Sequence, residues 1–129
     1  MSRARVLLAD DHPRMLQSIA SLIGEEFEVV ATVDEGEAAV TAAALLEPDL
    51  AVFDISMPNL TGLEAAERLL ALEGRRAVRV VFLTVHDDPE FIEAAGNVGA
   101  VGYVLKRRMA TDLLPALRRA MAPDPAESA

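Results

Sequence analysis

Apolar positions along the chain follow two alternating patterns. Short, β-branched-rich runs span Arg5–Ala9, Phe27–Thr32, Leu50–Phe53, Val78–Leu83 and Ala100–Leu105, and these predict strands. Between them apolar residues recur with helical spacing. Met15, Leu16, Ile19, Leu22 and Ile23 form one such face, and Leu63, Ala66, Leu69 and Leu70 form another. The segment from Ala38 to Leu46 is rich in Ala and Leu and suits a helix with a less defined face. Phe91, Ala94, Ala95 and Val98 repeat the period weakly, with Gly96 inside, and Leu113, Leu114, Leu117 and Met121 close the series.

The punctuation agrees with these elements. Gly24 and Gly74 stand where helices should stop. Pro13 and Pro89 fall in expected first turns, where a missing N–H costs nothing. Pro115 is placed by the same logic in the first turn of a last helix beginning near Thr111. The tail from Ala122 to Ala129, with Pro123 and Pro125, reads as a frayed end or the start of a linker. No internal repeat is visible.

Strands alternating with helices predict an α/β fold: a single doubly wound, five-stranded parallel sheet with five helices. The first, third and fourth strands are nearly all apolar, as strands covered on both faces should be, with Arg5 and Arg79 as exceptions near their starts. The second carries Glu28 and Thr32 and reads as an edge. Right-handed crossovers then favour the flavodoxin-like order 2-1-3-4-5. That order reverses between the first and third strands, and ligands bind beyond the carboxyl ends of the strands at such a reversal.

Composition narrows the function. A chain of 129 residues fits one domain able to bury a core without staples. It has no cysteine, which removes disulfides and thiolate metal sites and suits a reducing, cytoplasmic setting. The apolar run after Met1–Arg5 is too short for a signal peptide, and no stretch approaches a membrane span. A formal charge of −9 repels nucleic-acid phosphates, so no direct DNA or RNA binding is expected. Of twelve cationic residues eleven are Arg, and the single Lys is Lys106. Lys is a compact point charge where Arg is a planar fork, so the exception invites a specific role.

That role emerges at the strand ends. The first strand ends in Asp10-Asp11, the third in Asp54, the fourth in Thr84 and the fifth in Lys106. Carboxylates brought together repel, and a hard, oxygen-seeking Mg²⁺ relieves this. Asp11 and Asp54 suit direct ligation, Asp10 a metal-bound water, and the Ser56 backbone carbonyl the remaining protein share. One carboxylate can then attack phosphorus as a nucleophile, with Lys106 and the Thr84 hydroxyl stabilising the transferring group. Asp54 stands apart from the adjacent pair and is the expected phosphoacceptor.

Each feature alone has a plainer reading. Asp10-Asp11 could be a turn and helix N-cap, Asp54 before Met57-Pro58 turn chemistry, and Thr84 an ordinary strand-end residue. Tyr103 could be a plain core aromatic, and Arg107-Arg108 a solvated face. His12 and His86 are expected to be solvated or capping, with His86 at most tuning access to Asp54. The conjunction at four strand ends is what argues for a site.

The motifs Leu8-Ala9-Asp10-Asp11-His12, Asp54-Ile55-Ser56-Met57-Pro58 with Gly62, Phe82-Leu83-Thr84 and Gly102-Tyr103-Val104-Leu105-Lys106 together resemble a CheY-like response regulator receiver domain over about residues 5 to 122. The segments Thr84-Val85-His86-Asp87-Asp88-Pro89 and Asp112-Leu113-Leu114-Pro115 resemble the NarL/FixJ subfamily, whose receivers precede a LuxR-type helix-turn-helix domain. The resemblance makes 1–122 a receiver domain and 123–129 a tail or start of linker. It implies that Asp54 accepts a phosphoryl group from a cognate sensor histidine kinase, that Asp10 and Asp11 serve Mg²⁺, and that Lys106 pairs with the phosphoryl group. It also implies that Thr84 moves toward the phosphate and Tyr103 changes rotamer. The fourth helix, fifth strand and fifth helix would then control dimerisation or an output domain. On this reading the chain is not an enzyme but a switch with self-catalysed phosphoryl transfer and autodephosphorylation, and any DNA contact belongs to a LuxR-type domain outside this sequence. Many relatives carry Pro after the Lys; here Arg107 follows, and no cis peptide is expected. The alternatives are a phosphorylation-independent pseudo-receiver that binds protein, a haloacid-dehalogenase-type phosphatase, and a flavodoxin. The phosphatase would want Asp where Ser56 stands, and Asp10-Asp11 would repel a flavin phosphate.

Overall fold

The computed structural model describes residues 3–71 and 78–122. The helix stop expected at Gly74 and the tail or linker expected at 123–129 lie outside the described residues. The elements run β1 (Arg5–Ala9), α1 (Pro13–Ile23), β2 (Glu28–Val33), α2 (Gly36–Leu46), β3 (Leu50–Phe53), α3 (Gly62–Leu70), β4 (Arg79–Thr84), α4 (Pro89–Asn97), β5 (Gly102–Leu105), a 3₁₀ turn over Lys106–Arg108, and α5 (Met109–Met121).

All strand pairs are parallel, and the sheet order is β2-β1-β3-β4-β5. The expected flavodoxin-like order is therefore observed. Strand alternation divides the core into two layers. Leu7, Ala9, Ala51, Phe53, Val80 and Phe82 face a layer with Ala39 and Ala43 of α2, Ala65, Ala66 and Leu69 of α3, and Ala95 of α4. Val6, Leu8, Leu50, Val52, Val81, Leu83 and Val104 face the opposite layer, with Ile19 and Ile23 of α1 and Leu113, Ala116 and Leu117 of α5. Burying a large apolar side chain is worth about 1.5–3 kcal/mol. Slipping a strand by one residue would send the fully buried Phe53 and Phe82 to the wrong face, so the pattern fixes the register.

Helix starts are set locally. Thr61 and Glu64 close a reciprocal capping box on α3. Glu35 caps α2 by accepting from the Ala38 N–H. Pro13 and Pro89 open α1 and α4 as expected. Pro115 does not sit in a first turn. The chain turns helical straight from the 3₁₀ segment after β5, so α5 starts at Met109 and holds Pro115 in its interior. The carbonyl four residues back, on the exposed Thr111, is thereby left without its helical donor at a position water can reach. Three strand starts move later by one or two residues: β2 begins at Glu28, β4 at Arg79 and β5 at Gly102. Ala100 and Val101 instead spend their N–H groups on Ala95 and Val80 in the turn after α4.

Candidate functional site

The parallel sheet delivers Asp10, Asp54, Thr84 and Lys106 to one rim. Asp10 and Asp54 follow the last residues of β1 and β3, neighbouring strands whose ends pair as Ala9 with Phe53. Thr84 ends β4 and Lys106 follows β5, whose ends are also in register, Thr84 with Leu105. The Asp54 N–H donates to the Ala9 carbonyl at 2.9 Å, which carries the pairing one residue further and fixes the two aspartates side by side.

Burial is unusual for such charge. Asp10 is 1% exposed, Asp54 4% and Thr84 fully buried. Lys106 Nζ lies 2.8 Å from Asp10 Oδ2 and 3.0 Å from Asp54 Oδ2, bridging the two carboxylates. Burial works against its charge, but the bonds to Asp10 and Asp54 outweigh that and hold the ammonium above the usual lysine range. The other Asp54 oxygen, Oδ1, is buried and has no hydrogen-bond partner among the described residues. A buried carboxylate oxygen left open is costly unless something binds it.

The donors suit a hard cation. Asp10, Asp11, His12 and Asp54 each offer one ligand atom, all within 4.8 Å of one another. Three carboxylates match the oxygen preference of Mg²⁺, and the open Asp54 oxygen matches a binding function. Asp11 is more exposed than Asp10 and Asp54 and, with Ser56, lines a cleft of about 560 Å³ together with Met57, Thr61, His86 and Phe91. The cleft also takes in Ile55, the residue after Asp54.

The loop after β3 is held in place from behind. The Gly62 N–H donates to the Ile55 carbonyl at 2.7 Å. A Cβ on Gly62 would fall 2.0 Å from the Asp54 carbonyl oxygen, so only glycine lets α3 start this close to the acidic pocket. Asn59, at φ 70°, donates to Glu35 Oε2 at 2.5 Å and ties the same loop to the start of α2. Gly36 packs against Leu60 so closely that a Cβ would meet the Leu60 carbonyl at 2.1 Å.

His12 is solvated as expected, with 69% of its side chain exposed, but both histidines also make side-chain contacts that the expectation did not include. His12 is the N-cap residue of α1 but makes no side-chain cap bond. Its Nδ1 instead lies 3.1 Å from Asp10 Oδ1 and 3.0 Å from Asp11 Oδ1. The plainer reading of Asp10-Asp11 as an N-cap also fails, because His12 takes that position. His86 Nε2 is 2.8 Å from Ser56 Oγ, and its ring stacks on Phe91 at 4.4 Å. The His86 N–H donates to Thr84 Oγ1 at 3.3 Å, and its carbonyl accepts from the Tyr103 hydroxyl at 2.7 Å. Tyr103 is thus turned toward the β4–α4 loop, with its ring tilted against Phe82. Burial first, then the charges of Asp88, Asp87 and Asp54, push its phenol above the ordinary value.

Asp10, Asp11, Asp54, Ser56, Thr84 and Lys106 lie about one rim, Tyr103 reaches it only through its bond to the His86 carbonyl, and Lys106 contacts two carboxylates where the sequence suggested a phosphoryl partner alone. The sequence reasoning missed the Ser56–His86 bridge and the Glu35–Asn59 tie. These join residues 30 and 24 positions apart, and no local pattern announces them.

The chain is similar to known proteins over most of its length. The family model for the response regulator receiver domain matches residues 6–118. The chain is 33% identical over 118 residues to the transcriptional regulatory protein PdtaR of Mycobacterium tuberculosis, covering 91% of this chain and 56% of that protein. It is 36% identical over 121 residues to the nitrate/nitrite response regulator protein NarL of Escherichia coli K12, covering 92% and 55%. The chain thus spans about half the length of these curated relatives. A solved LuxR-family two-component response regulator from Aurantimonas sp. SI85-9A1 superposes with a TM-score of 0.86 at 29% identity, over 98% of this chain and 94% of that one.

Proposed function

The chain belongs to the response regulator receiver family, and from that premise we propose that it is a phosphorylation-driven switch with Asp54 as phosphoacceptor. The observation that carries this is the state of the Asp54 carboxylate. One oxygen is held by Lys106, and the other is buried without a hydrogen-bond partner among the described residues. The donor is a phosphohistidine of a cognate sensor kinase. An Asp54 oxygen forms the new P–O bond as the P–N bond to the donor imidazole breaks, leaving an aspartyl phosphate.

This chain's residues divide the remaining work. Asp11, Asp54 and the Ser56 carbonyl would hold Mg²⁺, with Asp10 on a bound water, and the ion would offset charge on the transferring group. Lys106 already sits at the acceptor oxygen, so it needs only a small shift to pair with a phosphoryl oxygen. The Thr84 hydroxyl accepts from His86 N–H and keeps its own proton free to donate to a second phosphoryl oxygen. Moving Thr84 drags the backbone of His86, on which the Tyr103 hydroxyl is anchored. The phosphoryl group, by binding one arrangement of these groups better, shifts the population between two states.

The readout face is α4, β5 and α5. Val85, Ile92 and Val101 are exposed apolar residues on the α4–β5 side and support an association surface there. Its partner is a second copy of the chain or an output domain, with LuxR-type DNA binding lying outside this sequence. Self-catalysed transfer and autodephosphorylation are the only chemistry assigned.

The test is intact mass after incubation with Mg²⁺ and a small acyl phosphate, beside Asp54→Asn. The expected result is one phosphoryl group gained by wild type and none by the variant. No gain by folded wild type in Mg²⁺ would replace this reading with a phosphorylation-independent protein-binding module.

A further inference from the structure

His12 occupies a position that the phosphoryl chemistry does not explain. Its backbone N–H donates to Asp10 Oδ1 at 2.9 Å, folding the loop after β1 back on itself. That turn carries Nδ1 to 3.1 Å from Asp10 Oδ1 and 3.0 Å from Asp11 Oδ1. Capping does not account for the ring's placement, since it makes no side-chain bond to α1.

The spacing is that of neighbouring ligands. In an octahedral shell with bonds of about 2.1 Å, adjacent donors lie about 3.0 Å apart and opposite donors about 4.2 Å. The His12 contact to Asp11 matches the adjacent separation, and the atoms offered by Asp11, His12 and Asp54 all fall within 4.8 Å of one another. The buried Asp54 Oδ1, without a hydrogen-bond partner among the described residues, points independently to a ligand in this pocket.

We propose that His12 Nδ1 is a direct ligand of the cation held by Asp11 and Asp54, so that this pocket prefers imidazole-binding divalent ions such as Ni²⁺ and Mn²⁺ over Mg²⁺. Mg²⁺ seeks oxygen and gains little from a nitrogen donor. Imidazole suits transition metals, and affinity climbs from Mn²⁺ to Ni²⁺. The His12 side chain is 69% exposed, so the ring is free to follow an ion as the carboxylates adjust. This inference rests on the reading of the pocket as a cation site for phosphoryl transfer.

The experiment uses the full chain, with no phosphodonor. Pulsed electron paramagnetic resonance of bound Mn²⁺ reports directly coupled nitrogen, and calorimetry gives Ni²⁺ and Mg²⁺ affinities and their competition. Nitrogen coupling should appear in wild type, vanish in His12→Ala and persist in His86→Ala. Ni²⁺ affinity should fall at least about tenfold in His12→Ala, the low end for losing even an outer-sphere partner, while Mg²⁺ affinity stays within about threefold. Mn²⁺ that binds and is displaced by Mg²⁺, but shows no nitrogen coupling and ignores His12→Ala, would overturn the proposal and leave the metal reading intact. Ni²⁺ binding that needs His12 but does not compete with Mg²⁺ would also overturn it, as a surface histidine acting alone. No binding of any divalent ion would remove both readings.

Discussion

Replacing Lys106 by Met removes one charge from a site that buries three. Lys106 Nζ is 2.8 Å from Asp10 and 3.0 Å from Asp54, and its side chain is 10% exposed. At an effective dielectric near 20, each contact is a gross attraction of about 5–6 kcal/mol. Dehydrating the ammonium and the carboxylates offsets much of that. In the variant, ligand oxygens of Asp10 and Asp54 remain within 4.8 Å of each other, a repulsion of at least about 3 kcal/mol on the same dielectric. The expected loss of stability in EDTA is therefore about 3–5 kcal/mol, as for other buried pairs broken on one side. Mg²⁺ should then stabilise Lys106→Met more than wild type, because the ion replaces the missing cation. An affinity gain of tenfold appears as about 1.4 kcal/mol of added stability at saturating metal. Urea unfolding in EDTA and in Mg²⁺ measures all four quantities. A variant within about 0.5 kcal/mol of wild type in EDTA, the range of an ordinary surface change, with an equal Mg²⁺ response, would refute the reasoning.

Other expectations follow from single contacts. Gly62→Ala forces a Cβ to 2.0 Å from the Asp54 carbonyl oxygen; backbone must move, at a cost of about 1–3 kcal/mol by urea unfolding, and the rate of acyl-phosphate labelling should fall with it. Thr61→Ala deletes half of the capping box on α3 and should lower stability by about 1 kcal/mol, with labelling retained. Tyr103 is the chain's single tyrosine and there is no tryptophan, so absorbance near 295 nm titrates it alone. Its midpoint should lie above 10.0, and Asp88→Asn should lower it. Because the unfolded phenol ionises first as pH rises, Tyr103's contribution to stability is full below 10 and declines between 10 and the folded value.

What the sequence revealed follows from where physical constraint is local. The apolar runs at Arg5–Ala9 and Leu50–Phe53 match β1 and β3 residue for residue, because both strands are covered on both sides. Asp54 was legible because a charge ends a wholly apolar strand. Lys106 was legible because it is the one Lys among Arg. By contrast, Pro115 misled, since first-turn preference is only a bias and the helix was already nucleated by the 3₁₀ turn at Lys106–Arg108. The roles of His12 and His86 were hidden for a different reason. Ser56 meets the His86 ring only after the loops following β3 and β4 converge, and His12 meets Asp10 through a turn within the loop after β1 that residue pattern alone does not announce.

The site draws on Asp10, Asp54, Thr84 and Lys106, so its order of assembly is tied to the order of synthesis. A ribosome-bound chain ending before β5 already contains both buried carboxylates and lacks the only ammonium that bridges them. Such a chain carries uncompensated charge against the end of its own sheet, which disfavours a settled partial fold. Competence therefore arrives late, when the edge strand docks and brings Lys106 with it. On the proposed function, a sensor kinase meeting unfinished chains would find no prepared acceptor, and the pool open to signalling would be limited to chains that have completed the sheet.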